Sequence, residues 1–320
     1  MNMPIPWELL SDTQRRLIEH NSGPMLVFAG PGTGKTEVIT QRVAYLIRQG
    51  TDPKEIRAIT FTRKARNEMI ERLKEFEGLE NINFNISTLH GTAVQILGKY
   101  GELRKYIAAG DETSIIFMDA VEDVVGKLNR SDYKECINWV ESQKCNNKRH
   151  QDCDEIQNKK IYERYEELLE YNNVQDLSGI ILNCVSLLNV LGDMFDSNIK
   201  HLLVDEYQDI NHTEYELIKH LTKGTESVFF VGDDDQSIYG WRGTDPQILH
   251  DFETDFDAAL IETIEESRRC TEDILNGAIE IVSKCKIYYP KKLKSVKGKG
   301  EKINLLTARA ARAIILVNLC

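Results

Sequence analysis

The sequence reads as an α/β protein, a parallel sheet interrupted by an all-helical insertion. Three observations predict this class. Apolar strand, loop and helix follow one another three times before residue 100. From about Gly101 to Asn198 apolar residues recur at helical spacing in a heavily charged stretch without strand signals. Strands then resume at His201-Leu202-Leu203-Val204 and at Ser227 to Val231. Parallel sheets collect ligands at the carboxyl ends of their strands, so the loops that follow the strands are where chemistry is expected.

Leu10-Ser11-Asp12-Thr13-Gln14 precedes a helical pattern through His20. Ser11 with Gln14 forms a capping box that accounts for both residues without a ligand. An amide also matches the donor and acceptor on the edge of an adenine ring, so Gln14 equally suits a base. The first strand, Met25 to Ala29, runs into Gly30-Pro31-Gly32-Thr33-Gly34-Lys35-Thr36. Glycines let backbone N–H groups turn inward around phosphate oxygens, and the helix that follows offers its positive end. Lys35 reaches the β and γ phosphates, and the Thr36 hydroxyl suits Mg²⁺. Ala29 stands where the fingerprint has its first glycine. A glycine-rich turn that binds nothing is the plain alternative, which the strand before and the amphipathic helix after (Val38, Ile39, Val43, Ala44, Leu46, Ile47) disfavour. Such a loop identifies a nucleoside triphosphate and no particular task.

The second strand, Ile56 to Phe61, breaks at Thr62-Arg63-Lys64 before a helix carrying Met69, Ile70 and Leu73. The third, Phe84 to Ser87, leads through Thr88-Leu89-His90-Gly91 into a helix ending near Leu97. Phe61, Thr62, Arg63 and His90 are therefore expected on the rim that holds Lys35. After the insertion, the His201 strand ends in Asp205-Glu206-Tyr207-Gln208-Asp209. Two acids at a strand tip divide the labour of phosphoryl transfer, Asp205 in the Mg²⁺ shell and Glu206 on the attacking water. Acids also cap helices, and it is the pairing with Lys35-Thr36 that gives Asp205-Glu206 its weight. The Ser227 strand ends in Gly232-Asp233-Asp234-Asp235-Gln236-Ser237-Ile238-Tyr239-Gly240-Trp241-Arg242-Gly243. A last strand ends in Glu262 to Glu266, and Ser267-Arg268-Arg269 is expected to open a helix containing Ile274, Leu275, Ala278, Ile281 and Val282. Arginines at a helix start oppose its dipole, so a phosphate, or the neighbouring Glu262, Glu265 and Glu266, would recruit them.

A chain of 320 residues has room for about two domains. No apolar run is expected to span a membrane, and Met1 to Trp7 is too short and uncharged for a signal peptide, which predicts a cytoplasmic protein. Seven scattered cysteines without a Cys-x-x-Cys pair fit reduced thiols. Cys136, Cys145, His150 and Cys153 lack the close pairing of metal ligands and read as incidental to a helical hairpin. A net charge of −11 argues against an electrostatic blanket over duplex DNA but not against a single strand held by stacking. Lys284 to Lys302 holds eight lysines against Glu301 alone, either a solvated loop or a phosphate-binding patch.

The motifs L-S-D-T-Q, A-G-P-G-T-G-K-T, T-F-T-R-K-A-R-N-E-M, S-T-L-H-G, L-L-V-D-E-Y-Q-D and G-D-D-D-Q-S-I-Y-G-W-R-G, in this order, resemble superfamily 1 ATP-dependent DNA helicases of the UvrD/Rep/PcrA type. The resemblance runs from about Leu10 to Ile303 and implies a RecA-like lobe (1–100 and 199–266), an accessory helical insertion (101–198) and the start of a second RecA-like lobe (267–320). It implies that Gln14 recognises adenine, the loop Ala29 to Thr36 the phosphates, Thr36 and Asp205 the Mg²⁺, Glu206 the water, and Gln236 and Arg269 the γ-phosphate. Phe61, Thr62, Arg63, His90, Tyr239, Trp241 and Arg242 would face single-stranded DNA, as rim aromatics suit base stacking.

Two departures concern adenine. Glu37 stands where such helicases usually have Arg, and Arg268 where they have Tyr, so the expectation is an Arg268 guanidinium stacked on the base and steadied by an ion pair to Glu37. Arg63 and Leu89 replace the usual Asn and Phe on the DNA side. The V-H-x-A-K-G-type motif and the arginine of the last motif do not occur in these 320 residues. The implied activity is a 3′-to-5′ helicase or translocase in DNA repair or replication, with slow hydrolysis and no unwinding by this chain alone, since an arginine finger contributes about 10³–10⁵ in rate. A missing segment or a partner protein would supply the rest of the second lobe. The rival reading is a nucleotide-gated single-strand-binding or regulatory module; an RNA substrate is weaker, because the resemblance points to DNA and nothing in the sequence tests for the 2′-hydroxyl.

Overall fold

The computed structural model describes residues 5–240, 243–284 and 289–303. In chain order the first part comprises α1 (Asp12–Ile18), β1 (Gly23–Ala29), α2 (Lys35–Arg48), β2 (Ile56–Thr60), α3 (Arg63–Lys74), β3 (Ile86–Thr88) and α4 (Leu89–Tyr100). Next come β4 (Tyr106–Ala108), α5 (Asp111–Val125), α6 (Arg130–Cys145), α7 (Ile156–Tyr171), β5 (Val174–Asp176) and α8 (Leu177–Leu191). The chain continues through β6 (His201–Val204), α9 (His212–Thr222), β7 (Ser227–Gly232), α10 (Gln247–His250), α11 (Phe252–Asp255), β8 (Leu260–Ile264), β9 (Glu266–Ser267), α12 (Glu272–Val282) and β10 (Lys294–Ser295).

Six strands form one sheet in the order β3-β2-β6-β7-β1-β8, and every described pairing in it is parallel. The near-continuous apolar runs follow from burial on both faces. In β1, Leu26 and Phe28 enter one core with Leu202, Val204, Val228 and Phe230. Met25, Val27 and Ala29 enter the opposite core with Leu203, Phe229 and Val231. A one-residue register slip would exchange the two faces. The order also places β7 between β6 and β1, so the loops after these three strands meet on one rim.

Helix starts are written in short polar side chains. Ser11 and Gln14 form the expected capping box; Thr62, Thr88 and Asp176 accept from Ala65, Gly91 and Gly179 N–H. One start differs from expectation. The helix expected to open at Ser267-Arg268-Arg269 begins at Glu272 behind Thr271, leaving both arginines in the connecting turn. Acidic Glu272 and Asp273 fill its first turn instead, which suits the helix dipole.

The 101–198 segment is helical apart from β4 and β5, which pair in parallel. Phe117, Val121, Val140, Tyr162, Tyr165 and Leu169 of α5, α6 and α7 build a core of their own. Helix α8 behaves differently, since Ile180, Ile181, Cys184, Val185 and Leu188 join the core beneath the sheet. By length and composition alone the run Leu177–Met194, with mean hydropathy 1.5, could cross a membrane, against the expectation that no run could; a core helix has the same composition, and α8 packs in the core. The apolar stretch Ile303 to Leu306, which the sequence suggests as a further strand, lies almost wholly outside the described residues.

Candidate functional site

The loop after β1 is built around two left-handed glycines, Gly32 (φ 73°) and Gly34 (φ 90°), the conformation that costs an L side chain most. Thr33 closes it, donating to the Gly30 carbonyl from both its N–H (3.3 Å) and its hydroxyl (2.8 Å). Ala29 is fully buried, and Lys35 is the first residue of α2, so the loop delivers directly into a helix N-terminus. The Pro31 and Gly32 carbonyls accept from the Ser267 hydroxyl (2.7 Å) and the Arg268 N–H (2.9 Å).

Four candidate residues converge beside it. The Thr36 hydroxyl lies 3.2 Å from Asp205 Oδ2. Lys35 Nζ lies 3.3 Å from Glu206 Oε2, an ion pair lacking hydrogen-bond alignment. Burial first, and the Glu206 charge second, push the Asp205 carboxyl up to about 7. A buried acid raised in this way favours a cation, and the hydroxyl and carboxylates present suit Mg²⁺. Glu206 itself sits in the left-handed region (φ 53°, ψ 46°), a conformation that a non-glycine residue holds only when its surroundings enforce it. Its backbone is held on both sides, its N–H donating to Asp205 Oδ1 and its carbonyl accepting from the Asp209 N–H (3.0 Å each), while the Gln208 side chain donates to Glu206 Oε2 at 2.8 Å and accepts the Asp233 N–H on its amide oxygen at 2.9 Å. The Gln236 amide donates to Asp233 Oδ2.

On the base side, Gln14 is 3% exposed; its carbonyl accepts from Ser11 N–H and its amide donates to the Thr33 carbonyl at 3.1 Å. The Arg268–Glu37 ion pair is not formed. Glu37, 6% exposed, accepts from Ile5 N–H and Gln41 (2.9 Å each) and pairs with Arg72 at 3.4 Å. Arg268 instead donates to the Leu9 carbonyl at 3.0 Å. Arg72 lies nearer in the fold, because α3 packs along α2. Arg269 is exposed, with its Cβ lying against Gly32. The acids named as its alternative partners are otherwise engaged in one case, since Glu262 pairs with Arg16 at 2.9 Å.

On the strand-facing side, Phe61 after β2 and Tyr239 after β7 stack with centroids 5.5 Å apart. Thr62 spends its hydroxyl on capping α3, Arg63 is exposed, and His90 is half-buried on the first turn of α4. Trp241 and Arg242 lie outside the described residues.

Three residues escaped the sequence reading. Arg72 carries no local motif, and Gln208 stands inside L-L-V-D-E-Y-Q-D without having been given a role. Lys291 lies in the basic run but is neither solvated nor a free phosphate ligand. Its side chain is 1% exposed and pairs with Asp233 and Asp235 (2.8 Å each) and with Asp234. The signal was present in Asp233-Asp234-Asp235, a run too acidic to sit buried without a cation.

The UvrD/REP helicase N-terminal domain family matches residues 10–257. The ATP-dependent DNA helicase PcrA of Staphylococcus epidermidis (strain RP62A) is 32% identical over 320 aligned residues, covering 95% of this chain and 44% of that protein. PcrA of Staphylococcus aureus (strain Mu50) is 31% identical with the same coverage. The chain thus spans less than half the length of these relatives. The shared segment contains the rim on which Lys35, Thr36, Asp205, Glu206 and Gln236 meet, and the chain belongs to the UvrD/REP helicase family.

Proposed function

We propose that this chain is the ATP-binding motor lobe of a single-stranded-DNA-dependent ATPase, a 3′-to-5′ DNA helicase or translocase of repair or replication that works in the cytoplasm. The observation that carries the reading is the meeting of Lys35, Thr36, Asp205 and Glu206 at the carboxyl rim of β1 and β6. Thr36 and Asp205 would hold Mg²⁺, which when bound neutralises charge on the phosphates. Lys35 and the glycine loop bind phosphate oxygens, Glu206 orients the water and takes its proton, and Gln236 and Arg269 attend the γ-phosphate. Gln14 borders the base, with Glu37 and Arg268 on either flank. Phe61, Thr62, Arg63, His90 and Tyr239 form the single-strand face, which the Phe61–Tyr239 stack supports, and Trp241 and Arg242 are assigned to it by the resemblance alone.

The domain reading follows the same lines: a lobe of 1–100 and 199–266, an accessory insertion of 101–198 rooted in it through α8, and the start of a second lobe from 267. Leu275 is the one buried residue of α12, which fits an element awaiting further cover. The PcrA relatives are described as ATP-dependent DNA helicases, and ATP and DNA as ligands here are carried from them by proposal.

The test is ATP turnover by the 320-residue chain with and without single-stranded DNA. The expected result is Mg²⁺-dependent ATP binding, slow turnover that DNA accelerates, and no strand separation. Binding without turnover would transfer the reading to a nucleotide-gated module, and efficient unwinding by the chain alone would overturn the need for a second lobe.

A further inference from the structure

The segment 289–295 crosses the sheet rim between the two loops that the proposed function uses. The Tyr289 ring stacks on Phe28 at the end of β1, with centroids 4.0 Å apart and planes 1° apart. The Leu293 side chain covers Gly30, where an added Cβ would meet its Cδ1 at 2.6 Å. Between them the Lys291 ammonium enters the Asp233–Asp235 loop and pairs with all three carboxylates. Those carboxylates have oxygens within 4.8 Å of one another, so the ammonium occupies the position a cation would take. Burying a lysine is costly, and three acids are what make it tolerable.

The grip continues inward. Asp233 gives one carboxylate oxygen to Lys291 (2.8 Å) and the other to the Gln236 amide. Its N–H donates to Gln208, which holds Glu206, which pairs with Lys35. One unbroken run of polar contacts therefore joins Lys291 to the phosphate loop.

We propose that Lys291 is a positioning residue for the nucleotide site: by fixing Asp233 it sets the Gln236 amide and, through Gln208, Glu206. This rests on the nucleotide reading of that site. The rival role is a staple that merely fastens 289–295 to the sheet. A staple affects stability alone. A positioning residue affects how the site tells a triphosphate from a diphosphate, because the run from Lys291 reaches Gln236, which attends the γ-phosphate, more directly than it reaches the glycine loop, whose own closure from Thr33 to Gly30 does not include Lys291.

The test is calorimetric titration of the chain with Mg·ADP and with a non-hydrolysable Mg·ATP analogue, alongside thermal melts. Lys291→Met is expected to weaken the triphosphate analogue about tenfold, within the usual range of coupling between sites, and to leave ADP within about twofold. Asp233→Asn, which keeps the shape and the N–H bond to Gln208, should reproduce that pattern should Lys291→Met fail to fold. Leu293→Ala, which loosens the strap without touching the ammonium, should lower the melting temperature and preserve the discrimination. Equal losses for both nucleotides, or none in a folded Lys291→Met and Asp233→Asn, would overturn the proposal. So would a Leu293→Ala variant that loses discrimination as fully as Lys291→Met. An unmodified chain that binds neither nucleotide would refute the nucleotide reading itself, and the role of Lys291 with it.

Discussion

The exchange of partner at Glu37 shows how a single substitution is absorbed. A carboxylate 6% exposed needs donors on every side, and Glu37 finds two neutral ones in Ile5 N–H and Gln41 and one charge in Arg72. Removing only the cation strands the acid, which costs more than removing both charges. Arg72 is 21% exposed, so solvent screens the pair and places the effect below that of a fully buried one. Arg72→Ala is expected to cost about 2 kcal/mol in urea unfolding, and Glu37→Gln alone under about 1 kcal/mol. The double variant should be more stable than Arg72→Ala, because the glutamine keeps its neutral partners and carries no charge to strand. Additive losses would mean that the two side chains are not coupled. The residue types at Glu37 and Arg268 suggested an ion pair between them, but only the packing of α3 on α2 reveals which arginine arrives first.

Among the elements, the phosphate loop and the turn before α12 act as one unit. Ser267 and Arg268 donate to Pro31 and Gly32 carbonyls, and an added Cβ on Gly32 would meet Arg269 Cβ at 2.3 Å and its backbone nitrogen at 3.0 Å. Gly32→Ala therefore carries both left-handed strain of about 1–2 kcal/mol and the displacement of that turn. Gly50 is a control in the same conformation (φ 97°) with nothing within 4 Å of an added Cβ. Gly50→Ala should lose the strain alone and Gly32→Ala visibly more, read as the difference in urea midpoints at unchanged slope. The strands and the phosphate loop were legible because each is specified locally: two-sided burial writes apolar runs, and glycines mark the turn. The true start of α12 was obscured because Arg268 and Arg269 are held by contacts with Leu9 and Gly32, more than 200 residues upstream. Strands β4 and β5, three residues each, are too short to leave a period-2 signature.

At the scale of the whole molecule, what sequence could not supply is the meeting of distant charges. Arg42 reaching the end of α1 has no local pattern, and the acidic run Asp233–Asp235 signals a cation without saying that Lys291 is the one; both meetings depend on three-dimensional closure. Arg42 is fully buried, its guanidinium donating to the Ile18 and His20 carbonyls and to the Ser227 hydroxyl and lying over the Phe229 ring. Burial pulls its pKa down to about 10, so it stays cationic through neutral pH. His201, bonded to the same Ser227 at 2.7 Å, is lowered by burial and then by Arg42, with Lys200 acting the same way and Glu226 and Glu55 opposing. His20 and His220 are also lowered, chiefly by burial. A histidine lowered in the folded state takes its proton first in the unfolded chain, so its contribution is constant above pH 6.5 and stability is lost as pH falls below it. Asp205, raised by burial, slopes the other way up to about pH 7, so the total profile mixes both signs and a variant comparison is required. His201→Gln retains a partner for Ser227 but cannot charge. The wild type's melting temperature relative to His201→Gln should hold steady above about pH 7 and decline as pH drops through 6.5 toward 5.5. A difference that stays flat across that range would show that His201 accepts its proton as readily in the folded protein as in the unfolded chain, and that Arg42 exerts no field on it.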